Sequence, residues 1–324
     1  MRILVTGGAG YVGSVSVEVL VEQGHEVVVL DSGVSDNPRA DLAGAALVRG
    51  TYGDRAGVAA LLTANRIDAV LHCAARSLVG QSMVEPALYF QENVVGGIAL
   101  LDGMRDAGVN RLVISSTASV YGEPDSSPVR EDAPLRPVNV YGESKRTLES
   151  VAGWYGRAYG LRVAALRYFN VAGASSRNGE VHDPETHLIP NAIKALLGGT
   201  PLNVWGDDYP TPDGTPIRDY LHVVDLADAH RLALEATAPG DARADVMLIC
   251  NLGSGRGFSV REVIATVERV VGRPVPRVEG PRRPGDPPAL VAAIDRARDV
   301  LGWTPKHSTL EEMIGSAWAF ARGD

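Results

Sequence analysis

The chain has 324 residues, 45% hydrophobic and 22% charged, with a formal net charge of -8. That length and composition fit a globular protein with one large core or two interlocked ones, and the negative charge argues against a nucleic-acid backbone or an anionic membrane as partner. No apolar run reaches the roughly 18 residues of a membrane span, the N-terminus enters a strand without a signal-peptide pattern, and Cys73 and Cys250 lie in apolar runs as buried free thiols, so a cytoplasmic protein is expected.

Residues 2–6 form a short apolar strand. Gly7-Gly8-Ala9-Gly10-Tyr11-Val12-Gly13 follows, and a helical pattern runs from Val12 to about Gln23. The glycines permit a tight turn, close backbone approach to a pyrophosphate, and close packing of helix on strand. The helix N-terminus then offers free amides to the anion. A second strand at 26–30 ends at Asp31, whose carboxylate suits both ribose hydroxyls of NAD and repels the 2′-phosphate of NADP. NAD is the expected cofactor.

Strand and helix continue to alternate: a strand at 45–49, a helix at 54–64, a strand at 68–73, and helical periodicity over 85–107 ending at Gly108. The strand at 111–115 runs into Ser116-Thr117-Ala118-Ser119, a helix spans about 140–159, and another strand covers 161–167. This rhythm predicts a Rossmann-type α/β fold, a doubly wound parallel sheet with ligands at the carboxyl ends of its strands. Thr117 falls at one of those ends. Tyr141 and Lys145, four residues apart, share a helix face. A free phenol has a pKa of about 10; a neighbouring ammonium or nicotinium ring lowers it, fitting Tyr141 to take a proton from a sugar hydroxyl.

Past Asn170, Gly and Pro become frequent at 173–184, 198–216 and 272–288, around helices at about 188–197, 225–236, 259–270 and 309–321. The expected division is a dinucleotide-binding domain at 1–170 and a smaller interlocked substrate-binding domain at 171–324, with some segments returning to the first sheet.

Gly7 to Gly13, Asp31, Ser116-Thr117 and Tyr141-x-x-x-Lys145 together resemble the extended short-chain dehydrogenase/reductase family. Leu166 to Gly173, His187-Leu188-Ile189-Pro190, Gly206 to Thr215 and Ile217 to Val223 are similar to its UDP-glucose 4-epimerase branch, a likeness that runs from Met1 to about Trp303. The resemblance implies a UDP-hexose 4-epimerase with tightly held NAD: Tyr141 as base at the sugar 4-hydroxyl, Lys145 lowering its pKa and holding the nicotinamide ribose, Thr117 bonding the 4-oxygen. It implies NAD contacts from Gly7, Gly10, Tyr11, Val12, Gly13, Asp31, Thr51, Cys73, Ala74, Ala75, Asn93, Ser115, Tyr141, Lys145 and Tyr168, with Asn93 also near the sugar. Substrate contacts are implied for Thr117, Asn170, Leu188, Asn203, Trp205, Arg218, Tyr220, Arg283 and Asp286, and no metal. It further implies a homodimer through helices near 88–107 and 142–159, where Leu148, Val151, Ala152, Tyr155 and Tyr159 make an apolar stripe that otherwise faces the sheet.

Four positions depart from the family pattern or tune it. Thr117 replaces a common Ser and keeps the hydroxyl. Thr51 stands where an Asp accepts from the adenine amino group, which weakens or rearranges that contact unless Asp54 substitutes. Leu290 occupies the position that gates the size of the sugar C2 substituent, and is small enough to admit N-acetylated sugars. Arg76 replaces an uncharged residue, either as a solvated arginine or as a contact to the pyrophosphate or a sugar carboxylate. The alternatives are therefore a UDP-glucuronate 4-epimerase, motivated by Arg76, a nucleotide-sugar dehydratase, and a non-catalytic UDP-sugar- and NAD-binding protein. A 4,6-dehydratase carries an Asp-Glu pair after the active-site Thr, whereas Ala118 and Ser119 stand here and do no general acid–base work.

Overall fold

The computed structural model describes residues 1–33, 37, 40–244, 247–282 and 286–323. In the first half, β1 (Arg2–Thr6), α1 (Tyr11–Glu22), β2 (Glu26–Asp31), β3 (Ala46–Arg49), α2 (Arg55–Ala64) and β4 (Ala69–His72) alternate as the apolar pattern requires. Successive side chains of a strand point to opposite faces. Ile3 and Val5 accordingly enter a core with α1, while Leu4 between them enters a second core with α2. A sheet covered on both faces explains why its strands are continuous apolar runs rather than alternating ones.

The helical stretch expected over 85–107 is composite. After a short α3 (Val79–Val84), it comprises α4 (Pro86–Tyr89), a π-helical segment Phe90–Gly96, and α5 (Gly97–Asp106). Next come β5 (Arg111–Thr117), α6 (Val140–Tyr159) and β6 (Arg162–Tyr168). The Asn139 side chain caps α6 by accepting from Gly142 N at 2.8 Å, and Gly160 ends it with φ +71°, a left-handed conformation that favours glycine.

The second half contributes β7 (Asn170–Ala172), α7 (Leu188–Leu196), β8 (Leu202–Trp205), β9 (Ile217–His222), α8 (Val223–Ala236), β10 (Met247–Leu252), β11 (Gly257–Ser259), α9 (Val260–Val271), β12 (Arg277–Gly280), β13 (Ala289–Leu290) and α10 (Leu310–Arg322). Among the described residues the large sheet has seven strands, in the order β10-β6-β5-β4-β1-β2-β3, all parallel. Thus β10 returns to the first sheet, and Leu226, Ala229 and Ala233 of α8 and Trp303 share the core of Ile3 and Val5. Residue 170 therefore marks where the chain leaves the sheet for the first time, and later segments come back to it. A third core joins α7, α9 and α10. Among the described residues, no helix is long and apolar enough to cross a membrane.

A smaller sheet runs β11-β9-β13, with β7 also on β9. It is stitched by the carboxylate of Asp219, which is fully buried. Its oxygens accept from Ser254 N (2.7 Å), Ser254 Oγ (2.7 Å), Gly255 N (3.1 Å) and Ala292 N (3.0 Å). Burial pushes its pKa up to about 6 against those bonds. Since the folded value lies above the unfolded one, the stability this group contributes is greatest below pH 4 and declines as pH rises through about 6. Removing the acceptor leaves several buried donors unmatched. Asp219→Ala is expected to lose roughly 3–5 kcal/mol in urea unfolding at neutral pH, and a loss under about 1 kcal/mol would deny it the stitching role.

Candidate active site

The first turn of the chain is shaped by close backbone approach. Gly7 has φ +69°, and a Cβ there would stand 2.7 Å from the backbone of Ala74. A Cβ on Gly13 would collide with the Gly7 carbonyl oxygen. The turn therefore leaves a bare backbone concavity at the N-terminus of α1, beside the carboxyl end of β4, and helix N-termini present unpaired amides. Gly10 precedes α1, and Tyr11 and Val12 begin it. Tyr11 sends its hydroxyl to the Gly173 carbonyl at 2.6 Å, so its side chain ties this turn to the second half while its backbone remains at the helix start. Asp31, at the end of β2, accepts from Ala9 N and Gly33 N, each at 2.9 Å. Cys73 and Ala74 donate their amides to the Thr6 carbonyl at 3.0 Å, fixing the strand end that leads to Ala75. This cradle fits an adenine dinucleotide: small residues where a pyrophosphate must approach, a helix start for its charge, and a carboxylate at ribose distance along β2.

Tyr141, Lys145 and Thr117 meet at the carboxyl end of β5, and all three are buried. The Tyr141 phenol lies near the Thr117 hydroxyl, whose influence favours its ionised form. Among the protein groups burial dominates, pushing the phenol up to about 12 against that influence, with Tyr89 adding to the rise. Lys145 directs its ammonium to the Ser115 carbonyl at 2.8 Å rather than to the phenol. Burial brings Lys145 down to about 8, opposed by Cys73 and Glu149. The protein alone thus sets the phenol against ionisation, the reverse of what the Tyr-x-x-x-Lys spacing suggests. Tyr168, at the end of β6, lies near Ser115 and is held strongly un-ionised by burial. The Ser115 hydroxyl also meets Cys73 Sγ (3.4 Å) and His230 Nε2 (3.3 Å).

The chain passes from Tyr168 to Asn170 and so from the large sheet to the small one. On the small sheet, Asn170 of β7 is in register with Tyr220 of β9, and Leu290 of β13 with Arg218 of β9. Arg218 and Tyr220 are two apart on one strand and share a face. Arg218 pairs with Asp286 at 2.5 Å and bonds its own strand's Ile217 carbonyl at 2.7 Å. Asn170 anchors to the Asp219 carbonyl at 2.9 Å. Leu188 starts α7, and Asn203 and Trp205 share one face of β8, opposite the buried Leu202 and Val204. Arg283 lies outside the described residues.

Several expectations need adjustment. Thr51 is exposed, and its hydroxyl accepts from Gly53 N at 3.1 Å. Asp54 caps α2 by accepting from Gly57 N at 3.1 Å. Asn93 sits in the π-helical segment, 1% exposed. It accepts from Arg76 N (2.8 Å) and donates to the Arg76 carbonyl (3.0 Å) and Ser144 Oγ (2.9 Å). The Asn93 amide thereby holds the loop after β4 against α6. Leu148 and Ala152, expected on an outward stripe, are buried in the protein's own core, with Val151 and Tyr155 packed against it. The sequence pattern gives Ser116 and Arg167 no role of their own and leaves Glu149 unmarked. Arg167 grips Glu149 with Nε–Oε1 at 3.0 Å and Nη2–Oε2 at 2.6 Å, and Ser116 Oγ donates to the same carboxylate. The available signal was the continued spacing, since Glu149 stands four residues beyond Lys145 as Lys145 does beyond Tyr141.

A model of the NAD dependent epimerase/dehydratase family matches residues 3–250. The chain is 47% identical to the UDP-glucose 4-epimerase of Corynebacterium glutamicum over 327 aligned positions, covering 100% of this chain and 97% of that protein. Its structure superposes on the UDP-glucose 4-epimerase of Brucella ovis in complex with NAD with a TM-score of 0.94, at 42% identity and 98% coverage of both chains. It also superposes on that of Stenotrophomonas maltophila with bound NAD and formylated UDP-arabinopyranose, with a TM-score of 0.93 at 40% identity over 100% of both. A cradle shaped for a dinucleotide and likeness along the whole length agree, and the chain belongs to the NAD dependent epimerase/dehydratase family.

Proposed function

We propose that this protein is a UDP-hexose 4-epimerase that interconverts UDP-glucose and UDP-galactose. The observation that carries the reading is the meeting of Thr117, Tyr141 and Lys145 between the dinucleotide cradle and the small sheet bearing Arg218 and Tyr220. Full-length likeness to UDP-glucose 4-epimerases supports it. NAD held in this cradle would supply reversible hydride acceptance at sugar C4. Thr117 and Tyr141 hold the 4-oxygen, and Tyr141 takes the hydroxyl proton as hydride leaves and gives it back on return. A phenol set at about 12 by burial needs added positive charge to act as base near neutrality. Lys145, charged below about pH 8, supplies part of it at the ribose end of the site.

Arg218 grips the diphosphate, with Asp286 orienting the guanidinium. Tyr220, Asn170, Leu188, Asn203 and Trp205 hold the uridine, and Arg283 adds a second cation. Gly7, Gly10, Tyr11, Val12 and Gly13 face the cofactor's pyrophosphate through backbone. Asp31 holds its ribose, Thr51 borders the adenine, and Cys73, Ala74, Ala75, Ser115 and Tyr168 line its path to the reacting carbon. Asn93 acts by fixing the loop at Arg76. A cytoplasmic setting belongs to the same proposal, supported by the two free thiols.

The protein is proposed to be a homodimer. The support is a set of exposed apolar side chains on the segments from α3 to α6, where Val84 is 81% exposed, Trp154 62% and Met83 58%, and Tyr159 and Val95 are exposed as well. The expected stripe thus moves outward from Leu148 and Ala152 to these residues.

Three outcomes are expected. Tyr141→Phe lowers kcat by about 10²–10⁴-fold while UDP affinity by calorimetry stays put; parallel loss of UDP binding would make Tyr141 structural. NMR analysis of products is expected to find UDP-galactose from UDP-glucose and UDP-N-acetylgalactosamine from UDP-N-acetylglucosamine, with Leu290→Tyr losing the second conversion preferentially. No product from UDP-glucose would sink the assignment. The combined Val84→Glu and Trp154→Glu variant is expected to run as a monomer in light scattering where the parent runs as a dimer, and a monomeric parent would end the dimer proposal.

A further inference from the structure

Tyr141, Lys145 and Glu149 lie at successive four-residue steps on α6, a spacing that stacks side chains on one helix face. All three are buried, and each meets a different residue at the end of β5. The Tyr141 phenol meets the Thr117 hydroxyl, the Lys145 ammonium meets the Ser115 carbonyl, and the Glu149 carboxylate accepts from the Ser116 hydroxyl. From β6, Arg167 closes on Glu149 in a two-pronged pair; it stands opposite Ser116 in the sheet register. Arg167 is fixed from behind by the Tyr121 hydroxyl at 3.0 Å and the Glu131 carbonyl at 3.3 Å. Tyr121 donates in turn to Asn251 at 2.6 Å on β10. The third rung is therefore bolted to strands β5, β6 and β10, whereas the first two face the cofactor and substrate.

We infer that Glu149 is a positioning residue for the epimerisation: held by Ser116 and Arg167, it sets the depth of Lys145 beneath Tyr141 and keeps the Lys145 ammonium charged. The inference rests on the epimerase reading above. The groups facing Lys145 are Cys73 and His72 at the end of β4, Ser115 on β5, and Tyr141 and Glu149 on its own helix. Cys73 is held up near 11 and His72 down near 3 by burial, so neither carries charge near neutrality. Glu149 is left as the standing negative charge acting on Lys145 from α6. Its own counter-charge, Arg167, lies on the far side, fully buried and held charged by Glu149 despite desolvation. Neutralising the carboxylate removes one of the two influences that oppose burial at Lys145, so Lys145 loses its proton at a lower pH than about 8.

The test uses the holoenzyme with UDP-glucose. Glu149→Gln alone leaves Arg167 buried without a partner, so Glu149→Gln with Arg167→Met is made beside it to remove both charges together. In whichever variant folds, by circular dichroism, KM is expected to stay within about threefold, kcat to fall by about tenfold or more, and the alkaline limb of kcat to move down by about half a pH unit or more. Competitive acetylation read by mass spectrometry follows the ionisation of Lys145 directly and is expected to move the same way. A third variant, Ser116→Ala, keeps both charges, deletes one hydroxyl and folds; it is expected to lower kcat severalfold at unchanged KM. An unmoved limb and unmoved acetylation profile overturn the role in charge, and full kcat in Ser116→Ala overturns the role in position. Absence of epimerisation in the parent would instead remove the reading beneath the inference.

Discussion

The docking of one face of α6 onto the ends of β5 and β6 is the constraint on which the site depends. It is made by polar groups in a place where polar groups are costly. Moving a carboxylate and a guanidinium out of water costs several kcal/mol for each ion, and their attraction offsets this only when geometry and remaining hydrogen bonds are good. Here the conditions are met. Both prongs of Arg167 are engaged, its third nitrogen meets Tyr121 and Glu131, and Glu149 has Ser116 besides. Such a pair adds little net stability over an apolar one, but it has only one satisfied arrangement, so it fixes the rotation and height of the helix that carries Tyr141 and Lys145.

That arrangement explains which parts of the site were legible from sequence. Gly7 to Gly13 and Asp31 declare themselves because they serve a rule of local geometry: a turn without Cβ atoms, then an acid at a strand end. Tyr141 and Lys145 declare themselves by helical spacing. Glu149 and Arg167 do not, since a glutamate and an arginine in a 324-residue chain are ordinarily solvated. Only the sheet register that sets Arg167 beside Ser116 makes them partners. The same ignorance of facing misplaced the apolar stripe on α6. Leu148 and Ala152 belong to the inner face, and helical period alone does not say which of two apolar faces meets the sheet. Asp54 shows a different point, because an aspartate directly before an apolar helix is also a good cap, and here it is one.

The ionisation of Tyr141 carries a related lesson. Spacing predicts that an ammonium lowers the phenol's pKa, yet the ammonium is aimed at the Ser115 carbonyl and burial wins. Burial acts on both groups toward their neutral forms, bringing lysine down to about 8 and tyrosine up to about 12. The phenol is therefore protonated near neutrality until charge of the right sign is brought to it. This favours a base that works only when the site is filled, which suits a reaction whose intermediate must not meet water.

The two sheets divide the remaining work. An epimerase needs a firm hold on the nucleotide and a slack hold on the sugar, which must present its other face before hydride returns. Arg218, Tyr220 and Asn170 stand together on the small sheet, pinned through Asp219, while the groups at the sugar's reacting oxygen stand on the large one. Where the chain first passes between the sheets, from β6 to β7, the link is a single residue, Phe169. It is buried, and its amide is held by the Leu252 carbonyl at 3.0 Å. So short and fixed a connection sets the distance from diphosphate grip to Tyr141 while adding no hydrogen-bonding side chain to the space between. In the proposed reaction the sugar is then located by its two ends, at the diphosphate and at the 4-oxygen. When the proton leaves the 4-oxygen, one of those ends loosens while the other does not.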